Sequence, residues 1–323
     1  MRSPTQRILP PALRRGDTIG IVAPASNIKR EELEAGCRSL ERMGYRPLFL
    51  DSIFQQDLYF AGSVQRRSSE LHEMFRRDDV RAILCARGGY GANYLLPHLD
   101  LGLVRSHPKI FAGYSDATCL LTYLRDAAGL VTFHAPMAAK DFAHPDGIDE
   151  RSWNAALTSV EPWQLGPESG LSGLAPGDGE GWLTGGCLSI IAASLGTPYE
   201  INTEGAILFL EDIAAKPYQV DRMLMQLKLA GKLHSVHGII FGQMLDCIQP
   251  SGQNYALQQV VTRVLSELNV PIAFGLRSGH VSNANVTLPF GVRARMEVRS
   301  DAAQLQVLEP AVAAAPGSLT PRG

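Results

Sequence analysis

The chain has no excess of positive charge: 30 Lys and Arg stand against 32 Asp and Glu, a net charge of −2. Nucleic acids and anionic membrane surfaces both favour a basic face, so neither is expected as a partner. No apolar run approaches the ~18 to 20 residues that a membrane span needs. The basic N-terminus, MRSPTQRILPPALRRG, is interrupted by proline and arginine before any leader-length apolar stretch appears. The cysteines Cys37, Cys85, Cys119, Cys187 and Cys247 are odd in number, scattered, and free of CxxC spacing. That argues against a zinc ribbon or a redox pair and for buried free thiols in a reducing, cytoplasmic compartment. HExxH is missing, as is GxxxxGK followed by Ser or Thr, and no close Asp/Glu/His cluster is evident, so neither a metal nor a bound nucleotide is expected.

What remains is a chain of 323 residues, 45% hydrophobic and 19% charged, a composition that can bury two cores. The first half alternates short apolar runs with amphipathic stretches, the habit of βαβ units and a parallel sheet. Strands are predicted at 18–23 (TIGIVA), 46–50, 82–86, 110–113 and 131–134, with helices at 31–43, 68–76 and 118–125. Residues 161–181, EPWQLGPESGLSGLAPGDGEG, hold six glycines and three prolines without apolar period, and read as a linker. Beyond it the runs are short and strand-like, at 181–183, 206–210, 238–241, 271–275, 285–288, 293–298 and 304–308, broken by helices at 219–229 and 256–268. The expected fold is therefore α/β: a Rossmann-like N-terminal domain over 1–160 and a β-rich, barrel-like α+β domain over 182–310. A low-complexity tail over 311–323 is expected to be disordered.

Four segments could carry chemistry. In FAGYSDATCLL, residues 111–121, a strand turns sharply into a helix through Gly113-Tyr114-Ser115-Asp116, which would hold the Ser115 hydroxyl above the sheet beside free helix amides. Ser115 and Asp116 are equally good helix caps. Arg87-Gly88-Gly89-Tyr90-Gly91 follows another strand, and its backbone amides suit an oxyanion or a phosphate, or nothing beyond a turn. A serine nucleophile needs a base and an orienting acid. Of eight histidines, His134 in TFHAPM and His280 in LRSGHVSNAN sit at strand ends or in a polar loop, where catalytic and structural histidines both occur. Glu211 ends the apolar run ILFLE, so a carboxylate is delivered at the end of a buried strand or, alternatively, Glu211 or Asp212 starts a turn.

Together GDTIGIVAPAS, ARGGYGANYLL, FAGYSDAT, TFHAPM, GGCLSIIAASLGTPYEI, ILFLEDIAAKPYQVDRMLMQL and GLRSGH, in this order from about Pro11 to Pro310, resemble the serine LD-carboxypeptidases. Many members carry Asn at the position of Cys187 and Gly at that of Ala135. The resemblance implies that Ser115 is the nucleophile, His280 the base and Glu211 the acid. It implies an oxyanion hole from the amides of Gly89 and Asp116, with no cofactor. It further implies an acyl-enzyme route that removes terminal D-alanine from a murein tetrapeptide during cell-wall recycling, in a cytoplasmic homodimer. A muropeptide or small peptide carries a terminal carboxylate, for which Arg87 and Lys216 are the candidates. Relatives that cleave peptide-nucleotide antibiotics share the triad, and Trp163 and Trp182 are candidates to stack on such a base.

Overall fold

The computed structural model describes residues 6–249 and 251–314. β1 (Thr18–Val22) is buried along its whole length, as a central strand of a parallel sheet covered on both faces must be. α1 (Arg30–Arg42) turns Leu33, Cys37 and Leu40 inward, and β2 (Arg46–Leu48) returns parallel to β1. α2 (Val64–Arg76) starts at Ser63, whose hydroxyl accepts from the Arg66 amide and so satisfies one of the free donors of the first turn. β3 (Val80–Cys85), α3 (Leu101–Ser106), β4 (Ile110–Gly113), α4 (Thr118–Tyr123), β5 (Thr132–His134) and α5 (Glu150–Leu157) follow. The five strands are parallel, in the order β5-β4-β3-β1-β2. The strand order reverses between β1 and β3, and the crevice at the carboxyl ends of those strands is where doubly wound sheets bind ligands.

The second sheet is mixed. It contains β6 (Trp163–Leu165), β7 (Ser172–Ala175) and β8 (Gly177–Cys187), then, after α6 (Leu188–Ser194), β9 (Ala206–Glu211). α7 (Pro217–Leu229), β10 (Gly238–Gly242), α8 (Leu257–Leu265) and β11 (Ile272–Leu276) continue it. β12 (Leu288–Phe290) leaves this sheet, and β13 (Arg293–Val298) and β14 (Ala303–Val307) rejoin it. The order is β6-β14-β13-β8-β9-β10-β11-β7, with β8 to β11 mutually parallel and the rest antiparallel. Edge strand β7 curls back towards β13: a Cβ on Gly173 would stand 2.0 Å from the Arg299 carbonyl oxygen. This half is rich in strands as expected, and its sheet ends at β6 and β7 without pairing between them among the described residues.

Three boundaries differ from the sequence reading. Residues 161–181 do not form a linker but supply β6, β7 and the first part of β8. Their glycines serve close approach rather than flexibility: a Cβ on Gly179 would lie 2.1 Å from the His237 carbonyl oxygen. The C-terminal half is also not confined to its own sheet, because β12 pairs antiparallel with β5, Leu288 opposite His134, and completes the first sheet. The strand expected at 285–288 accordingly begins at Leu288, and Asn285 acts through its side chain instead. Finally, the tail starts in the core, since Ala311 and Val312 are buried and Ala313 bridges to Pro11; residues 315–323 lie outside the described residues. One apolar cluster runs through both halves, joining Phe111 and Leu120 to Leu183, Phe209 and Leu288.

Candidate active site

β4 ends at Gly113, and the backbone reverses over Tyr114 into a single 3-10 turn, Ser115–Ala117, before α4 begins. Ser115 takes φ +62, in the left-handed region that costs a residue with a Cβ on the order of 1 to 3 kcal/mol. Such strain is sustained only where neighbours over-determine it, and here they do. Asp116 is buried and its Oδ2 accepts from the Ala92 amide at 2.7 Å, which ties the elbow to the loop after β3. Burial pushes the Asp116 carboxyl up to about 6, against the pull of the amides of Ala92 and Gly91 and of Arg67. Arg67, itself buried, donates through Nη1 to the carbonyls of Pro24 and Gly91, so the loops after β1 and β3 are stitched together beneath the serine.

The glycine turn meets the elbow at Gly88. A Cβ there would stand 2.6 Å from Cβ and 2.7 Å from Oγ of Ser115, and 3.3 Å from the Asp116 nitrogen. Gly89, φ +105, sits against Ser26, whose Oγ accepts from the Tyr90 amide at 3.1 Å. Among the described residues, neither the Gly89 nor the Asp116 amide is used in a turn or loop hydrogen bond.

Glu211 and His280, the expected acid and base, come from the second sheet and its connection to β12. Glu211 is the last residue of β9 and is fully buried. Its Oε2 accepts from the His280 amide at 3.0 Å and from His280 Nδ1 at 2.7 Å. Burial pushes the carboxyl up, but His280 and His134 outweigh it and hold Glu211 down at about 2. Burial pulls His280 down, and Glu211 more than reverses this, so His280 ends above its ordinary value. The carboxylate is wedged in place: a Cβ on Gly279, φ +91, would lie 2.5 Å from Glu211 Cδ. Gly279 is fastened by Asn285, which accepts its amide at 2.9 Å and donates to its carbonyl at 3.0 Å. Asp212, the neighbour of Glu211, instead accepts from the amides of Ser189 and Ile213, both at 2.8 Å, at the start of α6.

Tyr114 joins the two halves. Its buried ring meets His280 edge-on at 5.2 Å, and its hydroxyl donates to Asp141 at 3.3 Å. His280 of the second half thus packs against the residue that precedes Ser115, and no hydrogen bond joins Ser115 to His280 among the described residues. The thiol of Cys187 lies within 4.8 Å of the ligand atoms of Glu211 and His280. Burial and the carboxylates of Glu211 and Asp212 hold its pKa well above that of an ordinary thiol. The other four cysteines are likewise buried and free, as their spacing implied.

Other expected site residues fall less centrally. Arg87 is half-buried and donates to the Asn27 carbonyl at 3.3 Å; Lys216 is exposed at the start of α7. Trp182 lies opposite Ala206, five residues along β8 from the Cys187–Glu211 pairing and so about 16 Å away. Trp163 is on edge strand β6. The exposed aromatics near the serine are instead Tyr59, Tyr90 and Tyr94, grouped around Phe60 beside the glycine turn. Sequence reasoning passed over Lys140, whose charge pulls His280 down, along with Asn285, Arg67 and Asp141. Each acts through a contact distant along the chain, for which no local pattern exists.

Models of the LD-carboxypeptidase N-terminal and C-terminal domains match residues 19–135 and 180–296. A probable murein peptide carboxypeptidase of Bacillus subtilis is 39% identical over 302 residues, covering 92% of this chain and 94% of that protein. The microcin C7 self-immunity protein of Escherichia coli is 29% identical, over 88% of this chain and 92% of that one. Among solved structures, muramoyltetrapeptide carboxypeptidase from Oxalobacter formigenes superposes with a TM-score of 0.82 at 30% identity, covering 91% of this chain and 99% of that one.

Proposed function

The chain belongs to the LD-carboxypeptidase family, and from that premise we propose that it removes the C-terminal D-alanine from a murein tetrapeptide through Ser115, His280 and Glu211. The observation that supports this assignment most is the 2.7 Å bond from His280 Nδ1 to a buried carboxylate, facing a strained serine elbow across Tyr114. With Nδ1 committed to Glu211, His280 has Nε2 free to exchange protons. Ser115 Oγ attacks the scissile carbonyl as Nε2 takes its proton, and Glu211 stabilises the imidazolium that forms. The amides of Gly89 and Asp116 receive the oxyanion, each donor worth about 2.7 to 4 kcal/mol on the scale of other serine proteases. Nε2 then protonates the amine of the departing D-alanine, and water repeats the sequence on the acyl-serine. Every proton in this route is moved by a side chain of this protein.

In this reading the first domain, through about residue 160, carries the nucleophile and the second carries acid and base. Arg87 and Lys216 are the cations proposed for the terminal carboxylate. Cytoplasmic location and a homodimer belong to the same proposal. The relative that confers microcin immunity supports a second reading, cleavage of a peptidyl nucleotide, with Tyr59, Tyr90 and Tyr94 as the stacking surface. Purified protein given muramoyl tetrapeptide should release D-alanine, and Ser115→Ala should lower kcat by about 10⁴- to 10⁶-fold while substrate still binds. Turnover of a peptidyl adenylate without release of D-alanine reverses the order of the two readings.

A further inference from the structure

Glu211 has two carboxylate oxygens, and His280 occupies only Oε2. Oε1 is buried and has no hydrogen-bond partner among the described residues; 3.8 Å from it stands Nε2 of His134, also buried and also without one. That separation is within ion-pair range and beyond hydrogen-bond reach. Two buried polar atoms left facing each other call for an explanation, because an unsatisfied group normally costs about 1 to 3 kcal/mol.

The far side of the ring supplies it. Ser278 Oγ lies 2.8 Å from the Val286 carbonyl and 3.0 Å from His134 Nδ1. A hydroxyl has one proton, and the carbonyl can only accept, so Ser278 donates to Val286 and His134 donates Nδ1–H to Ser278. Neutral His134 is thereby held in one tautomer, with its Nε2 lone pair turned towards Glu211. Its place is rigid: His134 ends β5 opposite Leu288 of β12, and packs against Tyr114, Phe209 and Phe290.

The geometry points to His134 as a positioning residue for the Glu211–His280 pair: while neutral it offers Oε1 only a lone pair and so leaves the carboxylate to His280, and on taking a proton at Nε2 it becomes a donor that draws the carboxylate's charge away from His280. This rests on the assignment of Glu211 and His280 under the proposed function. The titratable groups around the ring are Glu211, His280 and Tyr114; Asp141 lies behind Tyr114, Cys187 and Asp212 lie beside Glu211, and Lys140 acts on His280. Burial pulls His134 down while Glu211 pulls it up, leaving it below an ordinary histidine and so on the opposite side from His280. The active form then has both rings neutral, and acidification removes it in two protonations.

The test compares parent protein with His134→Gln, whose amide can reach Glu211 without titrating, and His134→Phe, which fills the space without a polar atom. His134→Gln should keep kcat within about threefold, and the acid limb of its log kcat/KM profile should become less steep by one proton. His134→Phe should shed the same proton from the limb, with KM changed less than twofold. A parent-like limb in His134→Gln overturns the inference, even if His134→Phe fails to fold. Imidazole ¹⁵N spectra of the parent and of Glu211→Gln give a reading independent of substrate. The Nδ1–H tautomer at His134, with a titration that moves in Glu211→Gln, supports the inference even if no D-alanine is released; an Nε2–H tautomer overturns it. Absence of D-alanine release alone therefore counts only against the proposed substrate.

Discussion

The elbow at Ser115 and the pocket of Glu211 and His280, which meet through Tyr114, are built by different physics. The elbow is made of backbone: a residue held at φ +62, two unused amides, and a glycine with no room for a methyl group. Its carboxylate, Asp116, serves as a clamp on the neighbouring loop. The pocket is made of buried charge. Glu211 holds its proton too weakly and His280 too strongly for free side chains, because each is the other's partner in a medium that excludes water. The elbow should therefore be sensitive to volume and the pocket to charge.

Glu211→Gln should have the largest effect on this contrast, lowering kcat by about 10³- to 10⁴-fold at nearly constant volume. The cause that holds His280 up is then gone, so the acid limb of residual kcat/KM should move to lower pH. An unmoved limb would break the contrast, since the pocket would then be acting by shape. Gly88→Ala comes next: its new methyl group would press on Cβ and Oγ of Ser115, and we expect a loss of about 10²-fold in kcat without a shift in the pH profile. Activity near that of the parent would show that the glycine turn yields and that the elbow is softer than its distances imply. Lys140→Met should have the smallest effect. Lys140 pulls His280 down, so its removal raises the pKa of His280, and the acid limb of kcat/KM should move to higher pH. Movement to lower pH would remove Lys140 from the electrostatics of the pocket.

The two regions also differed in how readily the sequence revealed them. The elbow was legible because strand, turn and helix are consecutive: IFAG, the turn at Tyr114 and Ser115, and the helix from Thr118 occupy the expected places. Glu211 was legible as the end of an apolar strand, and the structure shows β9 running to that residue. His134 and His280 were equivalent strand-end or loop histidines until both were found on the same carboxylate, one at each oxygen. The stretch 161–181 misled for a related reason. Glycine that permits a flexible chain and glycine that admits a neighbouring carbonyl are the same residue, and only a distance such as 2.1 Å from Gly179 to the His237 oxygen separates the two uses. The transfer of β12 to the first sheet was equally silent, because LPF carries no mark of which sheet it will join.

The sequence by itself determined the chemical inventory, a serine at a strand-to-helix turn before a carboxylate and a histidine later in the chain, together with the local backbone that displays the serine. Only the tertiary structure decided which histidine Glu211 binds through hydrogen bonds, and that a second one stands behind it. The physical reason is that a proton's partner is set by ångström separations and loss of water between groups 69 residues apart in the chain, and neither is a property of any short segment.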